Sequence, residues 1–385
     1  MRAVAIIGVG STPFGKLEGM GILDLAVSAC REALAESRVP REKIQALYLG
    51  NFVGERLASQ GALAGLVANR LGLTGIPATK VEGACASGGI ALRQGFLGIA
   101  LGLYDFVLVA GVEKMTSSST AEVTAALATA GDEEGEMRTG LTFPGAFGII
   151  TREHMARYGT TREQIGLVSV KNHGLGASNP KAQFRKPVTL DEVLASRLIA
   201  DPLRLFDCPP ISDGAAAAVL CPAEWARDFH PKPVRVLGSG HATGPATLWE
   251  MEDITSFPAT VRASREAYQM AGVTAADVQV AEVHDCFTMA EIIATEDLGF
   301  FPRGKGGPAV EEGQTGLDGK VAVNPSGGLI AKGHPVGATG CAQVYELVKQ
   351  LRGEAANQVL NARIGLAHNL GGTGVVSTVT ILGRL

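Results

Sequence analysis

The sequence predicts a layered α/β fold built from a duplicated unit, on three observations. Residues 80–114 read as a strand, a glycine-containing turn, a long apolar helix and a second strand. The stretch 26–51 returns as 260–285 at a constant offset of 234. Two glycine-led apolar runs, 213–220 and 373–380, close the two halves in the same way.

Composition agrees with this class. At 385 residues, 46% hydrophobic and 19% charged, the chain has material for two domains or one large layered one. A net charge of −4 argues against a nucleic-acid partner. Cysteines 30, 85, 208, 221, 286 and 341 show no CxxC spacing, so neither a disulfide framework nor a zinc site is expected. A reducing cytoplasm suits them. The apolar start, 3–9, is too short for a signal peptide. The longest apolar stretch, 96–112, is broken by Tyr104 and Asp105, which predicts a buried helix and strand instead of a membrane span.

Taken in order, 4–10 is an apolar strand running into glycines. Gly8, Gly10 and Gly15 do not make GxGxxG, so a strand and turn is expected there, not a dinucleotide loop. A helix from Leu23 to about Arg38 and a strand at 46–49 follow. In the second half 234–240 repeats the opening strand, and Arg265-Glu266-Ala267 repeats Arg31-Glu32-Ala33. The expected halves are 1–230 and 231–385. The first is longer by an insertion at roughly 116–205, of the kind that covers a binding site. Its Lys171, Lys181, Arg185 and Lys186 either meet phosphates or form a solvated face.

Three places carry candidate chemistry. Cys85 lies at a strand-to-helix junction, the helix being expected over 87–103, where free N–H groups and the helix dipole favour a thiolate. A small buried hydrophobe is the alternative. His284 and Cys286, two residues apart at the end of a strand, can face one crevice; a helix-capping Asp285 beside a satisfied His284 is the alternative. His334 precedes Pro335 in a glycine-rich loop and is expected to start a helix, as Cys85 does. Two such helix starts, brought together by pseudo-symmetry, would pair a thiol with a base. A last loop, 368–374, offers backbone N–H groups for an oxyanion or is only a tight turn.

GACASGG around Cys85, NPSGGLIAKGHPVGATG around His334, SDGAAAAVL and HNLGGTG together resemble the thiolase superfamily over essentially the whole chain. The resemblance implies two βαβαβαββ halves layered α-β-α-β-α, with a loop domain inserted in the first. The HDCF motif at 284–287, and His368 where the best-known members carry a second cysteine, are similar to the sterol-carrier-protein-2-type thiolases and archaeal-type acetyl-CoA acetyltransferases. For those the resemblance implies Cys85 as the acylated nucleophile and His334 as its base. Cys286 is then the second acid/base, and His284 with His334 binds the thioester oxygen. His368 is left without an assigned role.

The implied reaction is cleavage of a 3-oxoacyl-CoA by CoA, or the reverse Claisen condensation. Coenzyme A is then a substrate, and neither cofactor nor metal is implied. Also implied are a homodimer or dimer of dimers and, in some members, a small OB-fold and zinc-ribbon partner that binds acyl-CoA. The resemblance admits two other activities. One is a retro-aldolase or acyl-CoA-binding subunit. The other is a decarboxylating ketosynthase, which would not need Cys286.

Overall fold

The computed structural model describes residues 1–385. In the first half, β1 (Val4–Ser11) leads through α1 (Ile22–Ser37) to β2 (Ala46–Gly50). Then come α2 (Leu63–Arg70), β3 (Ala78–Val81), α3 (Ser87–Ala100) and β4 (Val107–Glu113). Two longer helices, α4 (Phe143–Tyr158) and α5 (Arg162–Gly176), precede β5 (Gly214–Pro222). The second half runs β6 (Val234–Thr243), α6 (Pro258–Ala271), β7 (Val280–Glu282), α7 (Thr288–Asp297) and β8 (Ala322–Val323). It ends with α8 (Thr339–Arg352), β9 (Ile364–Gly371) and β10 (Val376–Arg384).

The duplication is written in the strand order. The first five strands lie side by side as β1-β5-β4-β2-β3, and the second five as β6-β10-β9-β7-β8. Both run antiparallel, antiparallel, parallel, parallel. The two sets meet where β1 and β6 pair antiparallel over Val4–Ile6. Alternation along β1 sorts its side chains. Val4 and Ile6 join a core shared with α3 and α8, whereas Ala5 and Ile7 join the core under α1 and α2. A third core lies under α6 and the end of α7. The layering is therefore α-β-α-β-α, with α3 and α8 in the middle.

The glycines of the two opening strands have a steric cause. A methyl group on Gly8 would collide with the Ala33 carbonyl, and one on Gly10 with the Ala29 carbonyl. Gly238 and Gly240 stand in the same relation to Ala267 and Ala263, the counterparts of Ala33 and Ala29 at offset 234. Each strand thus lies directly on a helix backbone, which only glycine allows.

Candidate active site

Cys85 sits in a 3-10 turn, Ala84–Ala86, that leads straight into α3. That helix ends at Ala100, three residues short of expectation, and the chain reverses at Gly102 with φ +76°. The left-handed residue at the nucleophile turn is Ala84, φ +51°, not the neighbouring glycine. A strain of this kind costs about 1 kcal/mol or more and needs outside support. Ser87 Oγ supplies some: it donates to the Ala84 carbonyl at 2.6 Å and accepts from the Gly83 N–H at 3.0 Å. The Glu82 carboxylate accepts from the Ala84 N–H.

His334 does not start a helix. Pro335 is extended, with ψ 102°, and a second 3-10 turn, Val336–Ala338, intervenes before α8. The glycine-rich loop before it winds through a π-helical turn, Gly328–Lys332, with positive φ at Gly327, Gly328 and Gly333. The expected approach of the two helix starts does occur. A Cβ on Gly88 would lie 3.0 Å from the Gly337 carbonyl and from the backbone N of Gly340. Glycine permits that crossing of backbones.

The HDCF stretch follows β7. His284 and Cys286 line one cavity, as their spacing predicts. Asp285 is not among the lining residues and does not cap α7, the helix that follows it. Its carboxylate accepts from Leu329 N (2.7 Å), Ile330 N (3.3 Å) and Asn172 Nδ2 (2.8 Å), tying the glycine-rich loop and α5 to this strand end. Burial and the nearby Glu291 push its carboxyl up to about 7.

Ligating atoms of Cys85, His284 and His334 all fall within 4.8 Å of one another, and the two rings meet edge to face at 5.0 Å. His334 Nδ1 lies 2.8 Å from Thr339 Oγ1, whose hydroxyl donates onward to the Pro335 carbonyl. With the hydroxyl hydrogen on that carbonyl, Nδ1–H donates to Oγ1 and His334 Nε2 keeps a free lone pair. Burial holds His334 down to about 3, so the ring is neutral. Burial, then His334 and His368, hold His284 well below the usual imidazole range as well.

The thiols differ from expectation. Burial, then the Glu113 carboxyl, push Cys85 up to about 12, although its own N–H and that of Gly372 both point at the sulfur. Burial outweighs those donors, and Cys85 rests as a thiol. Cys286 is raised too, by burial first and then by Cys85 and Asp285.

The cavity over these groups measures about 220 Å³. Its walls are mainly apolar: Phe52, Val123, Leu127, Phe143, Phe147 and Phe287, the last two rings stacked at 4.6 Å. Several come from residues 120–147, in the stretch expected to cover a site. Three larger concavities, of 840, 850 and 560 Å³, lie elsewhere and contain neither Cys85 nor a histidine.

Cys208 also lines the cavity, and Asn369 joins Cys85 to His284; sequence reasoning singled out neither. His368 is not among the lining side chains. Its Nδ1 faces the His284 N–H at 3.5 Å and its Nε2 lies 3.0 Å from Thr260 Oγ1, so it supports His284 from behind. Of the four basic residues singled out above in the insertion, Lys171 pairs with Glu291 and Lys181 with Glu32, leaving Arg185 and Lys186 exposed.

Comparison with known proteins agrees with this geometry. The family described as "Thiolase, N-terminal domain" matches residues 4–224, and "Thiolase C-terminal domain-like" matches 240–384. The chain is 49% identical to an acetyl-CoA acetyltransferase of Methanothermobacter thermautotrophicus, over the whole of both chains. It is 39% identical to sterol carrier protein 2 of Bos taurus, covering 99% of this chain and 72% of that one. Among solved structures, the Ltp2-ChsH2(DUF35) aldolase superposes with a TM-score of 0.87 at 27% identity, covering 99% of this chain and 97% of that one. Human mitochondrial 3-ketoacyl-CoA thiolase in complex with CoA shares the fold, with a TM-score of 0.77 at 18% identity over 100% and 98% of the two chains. With both family matches spanning nearly its full length and its fold shared with a thiolase, the chain belongs to the thiolase family of enzymes.

Proposed function

We propose that this thiolase is an acyl-CoA C-acyltransferase working through a Cys85 acyl-enzyme, with His334 as the base and Cys286 as the second acid/base. The observation that carries the reading is the neutral His334, one ring nitrogen of which lies in the same 4.8 Å cluster as the Cys85 thiol while Nδ1 is engaged by Thr339. A separated thiolate–imidazolium pair is disfavoured at rest by the shifts of both groups, so deprotonation accompanies attack. Cys85 Sγ attacks the 3-oxo carbon of a 3-oxoacyl-CoA and its proton passes to His334 Nε2. The carbon–carbon bond breaks, the acetyl-CoA enolate leaves with the electron pair, and Cys286 protonates its carbon. CoA then attacks the acyl-enzyme and gives its proton to the Cys286 thiolate. His334 returns its proton to the departing Cys85 sulfur, which restores both thiols.

Two sets of donors suit the charges that develop. The N–H groups of Cys85 and Gly372 converge on the sulfur, where the oxygen of the acylated cysteine would form its oxyanion. His284 and His334 flank the position of the thioester oxygen of the acetyl-CoA enolate. A cysteine in the place of Cys286 favours this chemistry over decarboxylative condensation, which makes its enolate without a base.

Peptide mass spectrometry after incubation with acyl-CoA donors tests the assignment. Label should appear on the Cys85 peptide, be cleared by CoA and vanish in Cys85→Ala. Cys286→Ala should still acylate but lose condensation by about 10²–10⁴-fold. If Cys286→Ala condenses at a wild-type rate, the two-cysteine assignment is wrong.

The 27% identical neighbour named as an aldolase with a DUF35 chain favours a second reading, in which this chain acts with a small acyl-CoA-binding partner. The engagement of Lys171 and Lys181 in ion pairs within the fold supports it, since it removes two of that cluster's four cations from CoA phosphates. Acylation that appears only after such a partner is added would select it. The homodimer is supported by the exposed edge strand β3, and light scattering decides it. No helix is long and apolar enough to cross a membrane, and the six free cysteines support a reducing, cytoplasmic setting.

A further inference from the structure

The Asn369 side chain lies between Cys85 and His284 and touches both. Its Nδ2 donates to the Cys85 carbonyl at 2.9 Å and lies 3.1 Å from His284 Nδ1. Its Oδ1 accepts from the Gly89 N–H at 3.1 Å. Turning the amide over would set oxygen against the Cys85 carbonyl and NH₂ against the Gly89 N–H, two repulsive contacts in a buried place. The backbone therefore fixes its orientation, and His284 Nδ1 faces a donor. A neutral ring facing a donor through Nδ1 carries its hydrogen on Nε2.

From this geometry we infer that Asn369 is a positioning residue that selects the His284 tautomer, making Nε2–H an obligate donor to the substrate's thioester oxygen. The inference rests on the thiolase reading above. Thr339 sets the opposite tautomer on His334, so two rings 5.0 Å apart do opposite work: one takes a proton and the other gives a hydrogen bond. A second consequence concerns metals. Cys85, His284 and His334 are spaced closely enough to hold a soft divalent cation such as zinc. A protonated Nε2 must give up its hydrogen before it can ligate, so Asn369 also disfavours capture of one through that atom.

The test compares Asn369→Asp with Asn369→Ala. Asp keeps the shape and the acceptor for Gly89 but offers His284 Nδ1 an acceptor, which pulls the hydrogen away from Nε2. Its kcat should fall on the order of 100-fold or more at pH 8, with KM little changed. Asn369→Ala, where water can serve either tautomer, should lose less. Because Asp also turns an oxygen toward the Cys85 carbonyl, the ring tautomer is the readout that a role limited to packing would leave unchanged. Activity of Asn369→Asp relative to wild type should recover as pH falls, because an imidazolium beside a carboxylate carries hydrogen on both nitrogens. The same variant should become sensitive to zinc at concentrations the wild type tolerates.

Nitrogen-15 spectra of ring-labelled wild type read the tautomer directly, and decide the matter if Asn369→Asp does not fold. A His284 found with Nδ1–H, or a folded Asn369→Asp at least as active as Asn369→Ala, overturns the inference. His284→Ala separates the two levels. Full activity in that variant removes His284 from the thiolase reading, whereas lost activity beside an Nδ1–H spectrum removes only the role of Asn369.

Discussion

The free lone pair on His334 hangs on one hydroxyl, so Thr339→Val is the sharpest perturbation of the proposed base. Thr339 is 2% exposed and His334 6%, and valine fills nearly the same volume. Without Oγ1, an Nδ1–H at this place has lost its acceptor at 2.8 Å. Leaving a buried donor unpaired costs about 1–3 kcal/mol. The ring escapes that cost by moving its hydrogen to Nε2, which removes the base. At about 2 kcal/mol the competent tautomer falls roughly 30-fold, since each 1.4 kcal/mol is a factor of ten.

Rapid-quench mass spectrometry of Cys85 acylation should show that loss in the rate of acylation. Thr339→Ser should remain within about threefold of wild type. Tautomer balance does not depend on pH, so the deficit should be flat from about pH 6 to 9. A folded Thr339→Val that acylates within threefold of wild type would refute the reasoning. So would a deficit that disappears as pH rises, because that pattern belongs to a shifted His334 pKa.

Two further outcomes test the frame around the site. His368 is held down to about 3 by burial, against roughly 6.5 unfolded, so between those values only the unfolded chain takes its proton. Its contribution is complete above pH 6.5 and is lost as pH falls. His368→Gln should therefore flatten the acid side of the stability curve by about 1.4 kcal/mol per pH unit below pH 6, measured by urea unfolding. Gly240→Ala would drive a methyl into the Ala263 carbonyl, and Gly10→Ala would do the same at Ala29. Each should cost about 1–3 kcal/mol or more in the same assay, whereas Gly272→Ala meets no neighbour there and loses only through its positive φ.

What was legible in the sequence follows from the range of each interaction. The duplication could be read because Gly8, Gly10, Ala29 and Ala33 act through neighbouring elements, and the same four types recur at 238, 240, 263 and 267. Cys85, His284, Cys286 and His334 could be named because their loops are distinctive in composition. Electrostatics could not be read. A helix start argues for a thiolate at Cys85, yet burial and Glu113, brought in from β4, reverse the sign. Pro335 suggests a helix start at His334, yet its extended ψ delays the helix. Asn369 and Cys85 are 284 residues apart, and nothing local to either marks the contact.

The symmetry that builds the site also explains why there is one site in each chain and not two. Ala84–Ala86 followed by α3 and Val336–Ala338 followed by α8 are the same three-residue turn and 14-residue helix, 252 residues apart. Cys85 therefore corresponds to Gly337, and Gly88 to Gly340. A side chain at 337 has no room: its Cβ would stand 2.7 Å from Asn51 Cα and the Val112 carbonyl, and 2.9 Å from Glu113 Oε2. The Gly337 N–H is spent on the Glu113 carboxylate at 3.2 Å. Glu113 and Asn51 belong to the first half, and in the second half Asp285 stands where Asn51 stands, binding the glycine-rich loop instead. Each half has thus closed off its own copy of one role. The first keeps the thiol and fills the space where a second would go, and the second keeps the loop that delivers His334 and the strand end that delivers His284 and Cys286. Divergence at a few packed positions thus leaves a thiol at one of two equivalent helix starts and no room for one at the other.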